Sequence, residues 1–203
     1  AIVDSLQGAL TTQINLIGSA TLPFPEVCEA EGLPGTSCRV EGHPGARLFP
    51  ATEPYDLAES LIDERLRALF GLDESYAITA QPHSATQANH AVYRAVLPEA
   101  GGTVAALGTT DGGHISHRLG LPRETVFLAF PVGPDGIDYD ALAQLCDRHR
   151  PDLVIGGGTS YPLAVDYPRL GEIARATGAH LHADLAHTAP FVAGGLHEPA
   201  FPD

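Results

Sequence analysis

The chain has 203 residues, enough for one domain with a sizeable core. It carries 11 basic and 25 acidic residues, a net charge of −14, and every basic residue is an arginine. An acidic chain with no basic run argues against nucleic acid and anionic membrane as partners, no stretch approaches the ~18 to 20 apolar residues of a membrane helix, and no secretory signal is expected at the start.

Residues 1–14 suit a short helix. Pro23, Pro25, Gly32, Pro34, Gly35, Gly42, Pro44, Gly45 and Pro50 then break the chain repeatedly. Residues 15–52 are therefore expected to form an extended arm with ordered turns. Leu16, Ile17, Leu22, Phe24, Leu48 and Phe49 make it too apolar for a linker. Cys28 and Cys38 in this arm, with Cys146 far downstream, form no CxxC pair. Neither a zinc ribbon nor a disulfide framework is suggested, and a reducing, cytoplasmic setting is expected.

From Glu53 the pattern is regular. Residues 53–70 carry Leu57, Leu61, Leu66, Leu69 and Phe70 at helical spacing behind an acidic first turn. Residues 76–80 read as a short buried strand, and 84–97 as a helix capped by Ser84. Strands are predicted at 103–107, 125–130, 152–155 and 180–184. Helices are predicted at 138–148, opened by Asp138, and at 166–177, stopped by Gly178. Alternating strands and helices imply βαβ units, hence an α/β fold with a mostly parallel sheet and helices on both faces. In such sheets ligands bind beyond the carboxyl ends of the strands.

Four strand ends hold chemistry. After residues 76–80 come Gln81, Pro82, His83, Ser84, Ala85 and Thr86, two hydroxyls at a helix start. Free N–H groups there favour a phosphate, although a serine in that place commonly only caps. After 103–107 comes Asp111-Gly112-Gly113-His114-Ile115-Ser116-His117. The glycines allow close approach to a ligand, and His114 could stack on a planar ring; the plainer reading is a tight turn with two surface histidines. After 152–155 come three glycines, Thr159 and Ser160. The last strand gives His180, His182, Asp184 and His187. Alternation puts the first three on one face. One reading is a metal site. The other is a carboxylate that holds the ring nitrogen of pyridoxal phosphate (PLP) and keeps it protonated.

In this order the pieces resemble serine hydroxymethyltransferase, a fold-type-I PLP enzyme. The matching stretches are Leu16-Ile17-Gly18-Ser19, Glu41-Gly42-His43-Pro44-Gly45-Ala46-Arg47, Gln81 through Asn89, Asp111 through His117, and Asp184-Leu185-Ala186-His187. The resemblance implies that Ser84, Ala85 and Thr86 hold the cofactor phosphate and that His114 stacks on the ring. It implies that Asp184 pairs with the ring nitrogen, with His187 and Thr159 near the ring hydroxyl. Ser19 would bind the substrate carboxylate. Glu41 would move protons at the neighbouring subunit's site, with residues 1–52 as an arm on that neighbour and 53–203 as the first part of the PLP-binding major domain.

The departures carry expectations too. Leu48 and Phe49 stand where the family has two tyrosines, Arg39 where it has another, and Thr109 where a leucine helps clamp folate. These changes point away from tetrahydrofolate and toward transaldolase or aldolase relatives. The family's Schiff-base lysine and small domain are not in these residues: either a second polypeptide supplies them, which is the expectation carried forward, or these residues are a stretch of a longer chain. The expected function is thus part of a PLP-dependent transferase acting at Cα–Cβ of glycine-, serine- or threonine-like amino acids. Three alternatives stand beside it: a folate-dependent hydroxymethyltransferase fragment, a non-catalytic partner subunit, and a metal hydrolase using His180, His182 and His187.

Overall fold

A computed structural model describes residues 2–14, 16 and 22–198. The chain divides into two compact units, Ala1–Asp56 and Leu57–Asp203. Among the described residues no helix is long and apolar enough to cross a membrane.

In the first unit, α1 (Ile2–Thr12) is followed by α2 (Pro25–Glu31), which Pro25 opens with its preset φ. A 3-10 turn at Pro34–Ser37 leads to a two-strand hairpin, β1 (Gly42–His43) and β2 (Ala46–Arg47). The breakers leave room for nothing longer, and none of the unit's described apolar side chains is buried. Arg47 ties the hairpin together. Its Nε donates to Asp56 Oδ1 at 2.7 Å, and one terminal nitrogen donates to the Val40 and Gly42 carbonyls, each at 2.8 Å. The Gly45 N–H donates to the other Asp56 oxygen at 2.9 Å. Gly42 is required: its φ is +109°, and a Cβ would lie 2.4 Å from the Ala46 carbonyl oxygen. The helix α3 (Glu53–Phe70) starts in this unit, where Tyr55 donates its hydroxyl proton to the Gly35 carbonyl at 2.7 Å.

The second unit carries the sheet. Four parallel strands lie in the order β4 (Val126–Ala129), β3 (Thr103–Ala106), β7 (Leu153–Gly156) and β8 (His180–Ala183). The central strands bury both faces. Val104, Ala106, Leu153 and Ile155 pack with Tyr93 and Leu97, at and just beyond the end of α4 (Ala85–Val96). Ala105 and Val154 pack on the other face against Leu142 and Cys146 of α6 (Tyr139–His149) and Leu170, Ile173 and Ala174 of α7 (Tyr167–Thr177). This two-sided burial is why the strands read as unbroken apolar runs. The capping residues act as expected. Ser84, Asp138 and Asp166 each accept from a first-turn N–H, and Gly178 ends α7 at φ +76°.

One predicted strand does not form. Residues 76–80 are irregular and at most half-buried, because a strand exists only as one side of a ladder and no described strand pairs with them. Short elements appear that the periodicity did not show: α5 (Ser116–Leu119), α8 (Ala189–Ala193) and a hairpin of β5 (Val132–Gly133) with β6 (Gly136–Ile137). Pro134-Asp135-Gly136 was a readable turn signal for that hairpin.

Candidate functional site

The carboxyl ends of β3, β7 and β8 meet where the strand order reverses, since β3 has β4 on one side and β7 on the other. Their loops press backbone against backbone. The Gly112 carbonyl accepts from the Thr159 N–H at 2.8 Å and the Ser160 N–H at 3.1 Å. A Cβ on Gly112 would sit 2.4 Å from the Tyr161 nitrogen, and one on Gly157 2.1 Å from the Asp184 carbonyl oxygen. The expected close approach of these glycines is therefore to other loops of the same chain. They set the floor of the site.

On that floor Asp184 is the centre of a buried polar cluster. Its Oδ2 accepts from His117 Nε2 at 2.8 Å and from Asn89 Nδ2 at 2.9 Å. Its Oδ1 accepts from the Ala186 N–H at 3.1 Å. Burial by itself would push the carboxyl up; the hydrogen bonds from His117, Asn89 and Ala186 outweigh it and hold Asp184 well below the usual carboxylate range. The same burial pushes the His182 imidazole below its ordinary value, against the pull of Asp184. His117 is fully buried, and its Nδ1 has no partner. A proton placed there would be stranded, so the ring carries its proton on Nε2 and donates to Asp184. The plainer reading of two surface histidines fails for this residue: α5 turns it inward.

The other predicted residues of this unit lie around the cluster. His114 Nδ1 is 2.7 Å from Ser116 Oγ, and Ser116 Oγ accepts from Asn89 Nδ2 at 2.9 Å. The His187 ring is 6.5 Å from the His114 ring, centroid to centroid. Thr159 is exposed, with its backbone hydrogen-bonded to Gly112. At the start of α4, Ser84 Oγ accepts from the Gln87 N–H at 3.1 Å and the Ser84 carbonyl from the Ala88 N–H at 3.0 Å. That leaves the N–H groups of Ala85 and Thr86 with no intrahelical acceptor. Asn89 stands one turn further along the same helix, so this end of α4 is anchored to β8. Glu41 is exposed in the first unit, where its carbonyl accepts from the Leu48 N–H at 2.9 Å. Ser19 lies outside the described residues.

Sequence reasoning missed Asn89, Ser116, His117 and His182 as members of the cluster. Asn89 is four residues from Ala85, one helical turn, which was the available signal. The metal reading of His180, His182 and His187 is overturned: His180 is exposed, and His182 Nε2 donates to Asn89 Oδ1 at 2.8 Å. Among the described residues no group of three or more His, Cys, Asp or Glu is placed to hold an ion.

PLP fits this donor set. An ionised carboxylate has about four lone-pair sites, and Asp184 has used three, leaving Oδ1 able to accept from a protonated ring nitrogen. The helix start offers two N–H groups to a phosphate. A parallel sheet covered by helices on both faces is the architecture of the fold-type-I PLP-dependent transferases. Within that class, residues 2–203 match the family model for serine hydroxymethyltransferase, and the chain belongs to that family.

Proposed function

We propose that this chain is part of a PLP-dependent, folate-independent transferase that makes or breaks the Cα–Cβ bond of small amino acids of the glycine, serine and threonine kind. Bound PLP supplies an electron sink for charge left on Cα. In this reading Asp184 keeps the ring nitrogen protonated, and His114 packs on the ring face. Ser84 with the Ala85 and Thr86 backbone holds the phosphate, and His187 and Thr159 face the ring hydroxyl. Ser19 binds the substrate carboxylate, and Glu41 moves the proton that accompanies bond cleavage. The arm at 1–52 lies on a second copy, so that Glu41 serves that copy's site. The setting is cytoplasmic, in keeping with three free cysteines among the described residues.

The observation that carries the reading is a carboxylate held ionised at a strand end, with one oxygen still able to accept. PLP enzymes of this family hold the cofactor through a lysine amine, and none of these 203 residues is lysine, so that amine lies outside them. Borohydride reduction of the PLP-loaded complete enzyme followed by peptide mass mapping tests the PLP reading. The expected result is a pyridoxyl-marked lysine outside residues 1–203. Wild-type enzyme that takes up no PLP overturns it.

Membership of the hydroxymethyltransferase family favours a second reading, in which folate is the one-carbon carrier. Leu48 and Thr109 argue against it, since Leu48 lacks the aromatic face and Thr109 the apolar bulk that the resemblance assigns to folate. Titration of tetrahydrofolate into the complete enzyme with glycine separates the two. Unchanged visible absorbance supports folate independence, and a folate-dependent rise restores the hydroxymethyltransferase reading.

A further inference from the structure

Asn89 is 3% exposed; both of its amide protons are donated and its carbonyl oxygen accepts one bond. Its Nδ2 donates to Asp184 Oδ2 and to Ser116 Oγ, both at 2.9 Å. Its Oδ1 accepts from His182 Nε2 at 2.8 Å. A carboxylate oxygen only accepts, so the amide orientation is fixed by Asp184. Ser116 Oγ, which accepts from Asn89, lies 2.7 Å from His114 Nδ1. The Ser116 backbone N–H donates to the same Nδ1 at 3.2 Å, so Nδ1 is an acceptor and the Ser116 hydroxyl gives its proton to it. His114 therefore carries its proton on Nε2. Tyr93 donates its hydroxyl proton to the Ser116 carbonyl at 3.2 Å and holds the start of α5 in register. One side chain thus joins the end of β8, the loop after β3 and the first turns of α4.

We propose that Asn89 is a positioning residue that sets the His114 ring and the Asp184 carboxylate relative to each other, through Ser116. This rests on the reading of Asp184 and His114 as the groups on the ring nitrogen and the ring face of PLP. No other residue of this size does the task. Ionised aspartate has no donor for Asp184, and leucine has neither donor nor acceptor. Glutamine is one methylene longer in a buried space that is already full.

The test uses the complete enzyme, first without PLP. Histidine-ring 1H–15N correlation spectra are recorded for wild type, Asn89→Ala, Ser116→Ala and the double variant. Asn89→Ala is expected to shift the signals of both His114 and His182. Ser116→Ala is expected to shift His114 and leave His182 in place. PLP is then titrated and followed by its absorbance. Asn89→Ala should raise the PLP Kd by about tenfold to a hundredfold, the range for losing a buried hydrogen bond to a charged group. Ser116→Ala should raise it less, and the two losses should not add. A folded Asn89→Ala with unmoved His114 signals overturns the proposal, as do strictly additive losses in Kd. Should Asn89→Ala fail to fold, Ser116→Ala decides: unmoved His114 signals overturn the relay, and shifted ones sustain it. Wild-type enzyme that takes up no PLP would bring down the functional reading, while the ring signals still judge Asn89.

Discussion

Asp184 gathers the most consequences at the scale of single residues. Its charge is held by three donors, and truncation strands all of them: His117, Asn89 and the Ala186 N–H. Asp184→Ala is expected to abolish turnover and to weaken PLP retention greatly, because an ion pair in a site closed to water is worth several kcal/mol. Turnover and cofactor absorbance check this, and a variant with wild-type values of both would refute it. The pH dependence has a definite sign. The folded-state pKa of Asp184 is depressed, so its stabilisation is complete above the unfolded-state value of about 3.9 and is lost as pH falls below it. His182 is also depressed, by burial, so the unfolded chain takes up its proton first as pH falls through about 6.5. Both effects lower stability toward acid. Urea melts at pH 7 and at pH 4.5 should show the His182 part of the loss, smaller in His182→Asn, and the Asp184 part should appear only in melts below about pH 3.9. Burial pushes the Cys146 thiol up to about 11, so it should resist alkylation in the folded protein.

Among the elements, the start of α4 has two tasks that substitution can separate. Ser84 caps the helix by accepting from Gln87, and Asp166 caps α7 in the same way. Replacement of either by alanine should cost about 1 kcal/mol of stability. Only Ser84→Ala should also weaken PLP binding, because Ser84 and not Asp166 is the cap assigned to the cofactor phosphate. Equal PLP affinity in the two variants would remove Ser84 from the phosphate site. Gly157 tests the floor. Its φ of +116° and the contact that a Cβ would make with the Asp184 carbonyl leave no room for a side chain. Gly157→Ala is expected to push the β8 end outward and to lower both melting temperature and PLP affinity.

For the molecule as a whole, the unpartnered surfaces matter most. Neither β4 nor β8 has an outer neighbour among the described residues, and an open edge invites pairing with another chain. Of the apolar stripe that made α3 readable, Leu57, Leu61 and Leu69 are exposed, as is Ile62 beside them, while Leu66 and Phe70 are partly buried, so much of the stripe has no cover in this unit. We expect these surfaces to be covered by further polypeptide. Light scattering of residues 1–203 alone should show aggregation or self-association. A soluble, stable monomer would count against that cover.

The helices and central strands were legible in the sequence because their causes are local. Ser84, Asp138 and Asp166 sit where caps belong, Gly178 where α7 must stop, and the apolar runs at 103–106 and 153–156 declare strands buried on both faces. Asp184 was also legible, as a carboxylate at a strand end. What surrounds it was not. Asn89, His117 and His182 are 95, 67 and 2 residues from Asp184 along the chain, and hydrogen-bonding direction has no sequence period. The glycines after β3 and β7 announced close approach, and only the fold revealed that the approach is to each other. Residues 76–80 mark the opposite limit. Their pattern suits a strand, but a ladder needs a second strand beside it, and only tertiary structure decides whether one is there.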